Sequence, residues 1–180
     1  MTNAPEVVLG ITGSIGAYKA GDITRQLREA GYAVTCVLTH RATQFVAPLT
    51  FQALSERKVY TEMFDLGSPQ IIHTTLADRA KLVLVAPATA NIIAKCASGL
   101  ADDLLSGILL ATRAKLLFAP AMNVQMWQHP TVQRNVTMLK RLGVRFVEGG
   151  SAVAGVAAVL CGLRDRGGGE CRHCLGAADR

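Results

Sequence analysis

Five short apolar runs punctuate the chain: Val7–Ile11, Val34–Leu38, Leu82–Ala86, Leu116–Ala119 and Val144–Val147. They are rich in β-branched residues and nearly continuous, the pattern of strands covered on both faces. Between them the period lengthens. Ile23, Leu27 and Ala30 fall at i, i+4 and i+7, and Gly31 stops that helix. A second helical pattern covers Asn91–Ala97, with Ile92, Ile93 and Cys96 on one side and Gly99 at its end. Leu104–Leu110 makes a third, and Val132–Leu142 a fourth that closes on Gly143. Strand and helix thus alternate as far as Val147, which predicts an α/β three-layer sandwich around a mostly parallel, Rossmann-like sheet. Residues 1–150 form that domain, and residues 151–180 follow as a separate C-terminal tail.

Composition narrows the picture. Half of the 180 residues are apolar and 18% are charged, which excludes a disordered chain. The net charge of +6 comes from scattered residues, among them Arg25, Arg28, Arg41, Arg57, Lys58, Lys140 and Arg141. With only 5% aromatic residues to stack on bases, that charge suits an anionic small molecule better than nucleic acid. The opening "MTNAPE" lacks the basic start and apolar core of a secretion signal. The longest apolar stretch, Ala152–Leu163, is too short to span a bilayer, so no membrane partner is expected. Five cysteines, an odd count without a signal, argue for a reducing cytoplasm. Cys161, Cys171, His173 and Cys174 match no standard zinc spacing, so no metal is expected.

In such sheets ligands bind beyond the carboxyl ends of the strands. The first end carries "GITGSIGAYKA", residues 10–20, where a glycine turn enters a helix and exposes N–H groups beside the Ser14 hydroxyl. That is a phosphate cradle or a plain tight turn. Thr39 closes the second strand and either reaches the same phosphate or caps the next helix. The third end, "APATANIIAKCASGLADDLLS", supplies Thr89 and Asn91 at a helix start and a loop of small residues from Ser98 to Asp103. The fourth, "APAMN", repeats the device: Ala-Pro ends the strand and an asparagine, Asn123, follows. Asn123 is a ligand contact or a cap. His73, in "IIHTTLADRA", lies where a helix starts ahead of the third strand.

Together "GITGSIGAYKA", His73 with "LADRAKLVLVAPATANIIAK", "ASGLADDLLS" and above all "PAMNVQMW" resemble the homo-oligomeric flavin-containing cysteine decarboxylases over residues 6–150. The resemblance implies FMN as cofactor, with Gly13, Ser14 and Ile15 on its phosphate, Thr39 beside it, and Thr89, Asn91 and Ser98–Asp103 along the flavin. It implies His73 as the active-site histidine and Asn123 as the residue that binds the substrate carboxylate, flanked by Ala121 and Met122. Met122, Met126 and Trp127 then form an apolar wall or pack as core. The activity implied is decarboxylation of 4′-phosphopantothenoylcysteine to 4′-phosphopantetheine in coenzyme A biosynthesis, by a trimer-based homo-oligomer. Hydride loss from the cysteine Cβ creates a thioaldehyde next to the departing CO₂, and reduction of the ene-thiol completes the cycle.

The resemblance decays after Val147. The family's flap cysteine should fall near Val156, whereas Cys161-Gly162 is the nearest echo and no Gly-Arg-Met follows. Two outcomes follow for the tail. Either the tail is an altered end that no longer forms the flap, or Cys161 serves through a longer loop; the alternative function is a non-catalytic or regulatory FMN-binding subunit of the same fold.

Overall fold

The computed structural model describes residues 4–64 and 71–147. Five strands form one sheet: β1 (Glu6–Ile11), β2 (Ala33–Leu38), β3 (Leu82–Ala88), β4 (Lys115–Pro120) and β5 (Arg145–Phe146). Their order is β2-β1-β3-β4-β5, and every neighbouring pair is parallel. Seven α-helices accompany them among the described residues: α1 (Ala20–Glu29), α2 (Pro48–Ser55), α3 (Ile72–Arg79), α4 (Ala90–Ser98), α5 (Leu104–Ala111), α6 (Val124–Gln128) and α7 (Pro130–Arg141). The expected three-layer α/β sandwich is what forms.

Strand alternation splits the core in two. Val7, Leu9, Ile11, Val34, Cys36, Leu84 and Leu117 face α1 and α2, where Ile23, Leu27 and Phe51 meet them. Val8, Val37, Val83, Val85 and Phe118 face the other way, against Leu76, Ile93, Leu105, Ile108, Val136 and Leu139. Each fully buried side chain of this size contributes about 1.5–3 kcal/mol. Two faces to cover is why the runs read as continuous rather than alternating.

Several elements depart from the sequence reading. Pro87 does not end the third strand: β3 runs on to Ala88, through a cis Ala86–Pro87 bond and a register shift between Val85 and Ala88. The shift accommodates a residue without an N–H to give the ladder. The helical stretch after β1 opens as a 3₁₀ turn, Ile15–Lys19, before α1. Helix α2 was not expected; Pro at its first position and Ala47 in an extended conformation set it up. Helix α6 replaces what read as a turn after "PAMN". Among the described residues no helix is long and apolar enough to cross a membrane.

At the amino ends of the strands, Glu6 is nearly buried and fully partnered. It accepts from Thr35 Oγ1 at 2.7 Å and pairs with Arg57 at 3.2 Å and Arg79 at 2.9 Å. This ties β1 to β2, to the segment after α2 and to the end of α3.

Candidate functional site

The strand order reverses between β1 and β3, and at the carboxyl edge of such a switch point parallel sheets bind their ligands. Three strand exits meet beside it. Ser14, extended at φ −143°, caps the 3₁₀ turn by accepting from the Gly16 N–H at 3.4 Å. Its hydroxyl also donates, at 3.5 Å, to the Ala121 carbonyl after β4. A Cβ on Gly16 would lie 3.7 Å from Pro87 Cβ and 3.8 Å from Ala121 Cβ, so the turn rests against both other exits. At Gly13 a Cβ would come within 2.6 Å of Arg41 Cβ, which makes glycine obligatory there.

Thr39 uses its hydroxyl locally. It donates to the Ile11 carbonyl at 3.4 Å and accepts from the Ala42 N–H at 3.3 Å, so it links the end of β1 to the start of the short 3₁₀ turn Ala42–Gln44. Thr89 is the N-cap residue of α4 but makes no capping bond with its side chain; its N–H goes to Thr12 Oγ1 at 3.2 Å. Asn91 is exposed in the first turn of that helix. Ser98 is the last residue of α4, and its hydroxyl turns back to the Ala94 carbonyl at 2.9 Å.

Asp103 closes a capping box at α5, accepting from the Ser106 N–H at 2.8 Å. Lys95 reaches over from α4 to Asp102 at 2.6 Å and Asp103 at 2.7 Å. Burial alone would push the Asp103 carboxyl up, but the Lys95 ammonium and the Ser106 N–H and hydroxyl outweigh it and hold it below the usual carboxylate range. Burial would likewise lower Lys95, yet the two carboxylates win and raise it.

Asn123 is a cap in this structure. It caps α6 by accepting from the Gln125 N–H at 2.8 Å through Oδ1. That bond orients the carboxamide and leaves the exposed Nδ2 group as a donor. Ala121 follows the end of β4, with its N–H on the Ala88 carbonyl at 3.0 Å. Met122 and Trp127 pack against the core with Val132, whereas Met126 stays half-exposed. The apolar wall is therefore mostly core.

His73 lies in the first turn of α3. A helix that feeds the amino end of a parallel strand starts near the carboxyl edge, so His73 sits at the same end of the sheet as the turns. Gly107 of α5 makes room for it: a Cβ there would stand 3.5 Å from His73 Cβ. The buried Nδ1 of His73 has no hydrogen-bond partner among the described residues. An unpartnered buried nitrogen is uncommon and marks His73 out among the described residues. Cys161, with the rest of 151–180, lies outside the described residues.

The turns, the topological switch point and an exposed amide donor together suit a flat ligand that carries a phosphate. Residues 1–174 match the family model described as Flavoprotein. The chain belongs to the flavoprotein family. This flavoprotein is 48% identical over 149 residues to the coenzyme A biosynthesis bifunctional protein CoaBC of Bacillus subtilis, covering 82% of this chain and 37% of that protein. It is 41% identical over 151 residues to a probable phosphopantothenoylcysteine decarboxylase of Streptococcus mutans, covering 82% and 84%. Among solved structures it resembles the FMN-dependent cysteine decarboxylase SpaF at 34% identity and a TM-score of 0.76, covering 80% and 83%. It also resembles a cysteine-to-serine variant of PPC decarboxylase complexed with pantothenoylaminoethenethiol, at 30% identity and a TM-score of 0.72, covering 81% and 82%.

Sequence reasoning missed Thr12, whose hydroxyl bridges two strand exits. Its only sequence signal was a hydroxyl residue directly after an apolar run.

Proposed function

We propose that this flavoprotein is an FMN-dependent decarboxylase that converts 4′-phosphopantothenoylcysteine to 4′-phosphopantetheine. The observation that carries the reading is the bonding of Asn123. Its oxygen is held by the Gln125 N–H at 2.8 Å, so the carboxamide faces outward with its donor side free. A fixed neutral donor at a strand exit is suited to a carboxylate that must lose its charge as CO₂ leaves, because it orients without over-stabilising the ground state.

The residues present fit FMN. The backbone of 13–16 with the Ser14 hydroxyl takes the phosphate, at the start of a helical turn where N–H groups point outward. Thr89, Asn91 and the 98–103 stretch border the switch point where the ring system would lie, and Thr39 would reach the phosphate by exchanging its long 3.4 Å bond. Bound there, FMN would supply a hydride acceptor for the cysteine Cβ and hence the electron sink that decarboxylation needs. Asn123 would hold the carboxylate, and His73, whose Nδ1 has no partner among the described residues, would serve substrate or cofactor. The family's histidine and asparagine roles rest here on residue matches.

A homo-oligomer built on trimers belongs to the same reading. Ile15 and Tyr18 on the first turn, with Phe45 and Leu49 after β2, expose large apolar side chains on the segments that follow β1 and β2. Where such groups form one contiguous patch, they mark an interaction surface. The free Cys36 and Cys96 are consistent with the cytoplasm.

The test is direct. Purified protein supplied with FMN should turn yellow, release CO₂ from phosphopantothenoylcysteine and yield the saturated thiol. A protein that takes up no FMN, or binds it and releases no CO₂, overturns the reading. Light scattering should give a mass that is a multiple of three protomers.

A further inference from the structure

The ladder between β1 and β3 ends at Gly10 and Val85, and the two strands then part. Beyond that point β3 presents the Pro87 carbonyl and the Thr89 N–H. Thr12, the residue after β1, answers both. It is 2% exposed, so its hydroxyl has no bulk water to turn to. It donates to the Pro87 carbonyl at 2.7 Å and accepts from the Thr89 N–H at 3.2 Å. Its own carbonyl accepts the Ser14 N–H at 2.9 Å and folds the glycine turn back.

One residue therefore fixes Ser14 and Thr89 relative to each other across the switch point. We propose that Thr12 is a positioning residue that latches the exit of β1 to the exit of β3 and so sets the spacing at which FMN is gripped. The proposal rests on the flavin reading above. A hydroxyl is needed because a donor and an acceptor must occupy one point: valine matches the volume and offers neither, while serine offers both. Losing the latch frees the Thr89 end of β3 from the Ser14 turn, and binding must then reorder both.

The experiment compares Thr12→Val with Thr12→Ser in the full chain, by FMN titration of apoprotein and by amide hydrogen exchange without flavin. Thr12→Val should weaken FMN binding about tenfold or more and speed exchange at the Thr89 amide selectively. Thr12→Ser should restore both. Should Thr12→Val fail to fold, Thr12→Ala carries the same two readings. A hydroxyl-free variant that binds FMN as tightly as wild type overturns the proposal alone. Uniform loss of protection across all strands, unrescued by serine, also overturns it, since Thr12 then serves bulk stability. Wild-type protein that takes up no FMN overturns the flavin reading and the proposal together.

Discussion

Asn123 lets the cap and the proposed substrate contact be separated by a single atom. Asn123→Asp keeps an oxygen for the Gln125 N–H, so α6 and flavin binding should survive. It replaces the donor with a charged acceptor that repels a carboxylate. Loss of a hydrogen bond to a charged group costs about 1.5–3 kcal/mol, so kcat/KM should fall at least about tenfold, read by CO₂ release. Cys36 shows the opposite kind of residue. It is fully buried, and burial pushes its thiol up to about 11 despite hydrogen bonds from Thr24 and Ser55. Iodoacetamide at neutral pH should leave it unmodified in folded protein and label it in urea, followed by mass spectrometry. Local roles were legible where the residue type carried them, as at the Asn123 cap. They were not legible at Thr12 or Gly10, whose parts depend on neighbours distant in sequence: Pro87, Thr89 and Leu105.

At the scale of elements, the strands were readable because both faces of each are buried, which fills a run with apolar residues. Helices α1 and α7 were readable from their apolar spacing, although α7 starts at Pro130, ahead of the expected Val132. Helix α2 was hidden because it buries only Phe51 and Ser55, and α6 because it buries nothing completely. No period survives in so short a face. The junction of α4 and α5 gives a pH-dependent prediction. Asp103 titrates below its unfolded value of about 3.9, so its contribution is present above that pH and fades as pH falls through the lower folded value. Lys95 is raised, so its share is complete below about 10.4 and is lost as pH rises through the folded value. Asp103→Asn keeps a capping oxygen but loses the ion pair, costing up to about 1 kcal/mol at neutral pH. Urea unfolding of the two proteins should converge as the medium is acidified below about pH 3.9.

Across the whole molecule, binding and stability occupy opposite ends of the sheet. The turns at the carboxyl edge carry the candidate site, and Glu6 with Thr35, Arg57 and Arg79 ties the amino edge. Glu6→Gln should lower stability by about 1.5–3 kcal/mol while FMN affinity stays unchanged, measured by denaturation and titration on one preparation. Between the two ends Gly10 and Leu105 fit together with no slack. A Cβ at Gly10 would stand 2.5 Å from Leu105 Cδ1 and 2.9 Å from its Cδ2, and Leu105 is 1% exposed, with nowhere to move. Gly10→Ala should cost about 1–3 kcal/mol by overpacking, and Leu105→Ala about 2–5 kcal/mol by the cavity it leaves. The double variant should be more stable than the sum of its parts, measured by the same denaturation series. For a lineage carrying this fold, that is positive epistasis: each first step goes downhill, and the second costs less than it would have alone.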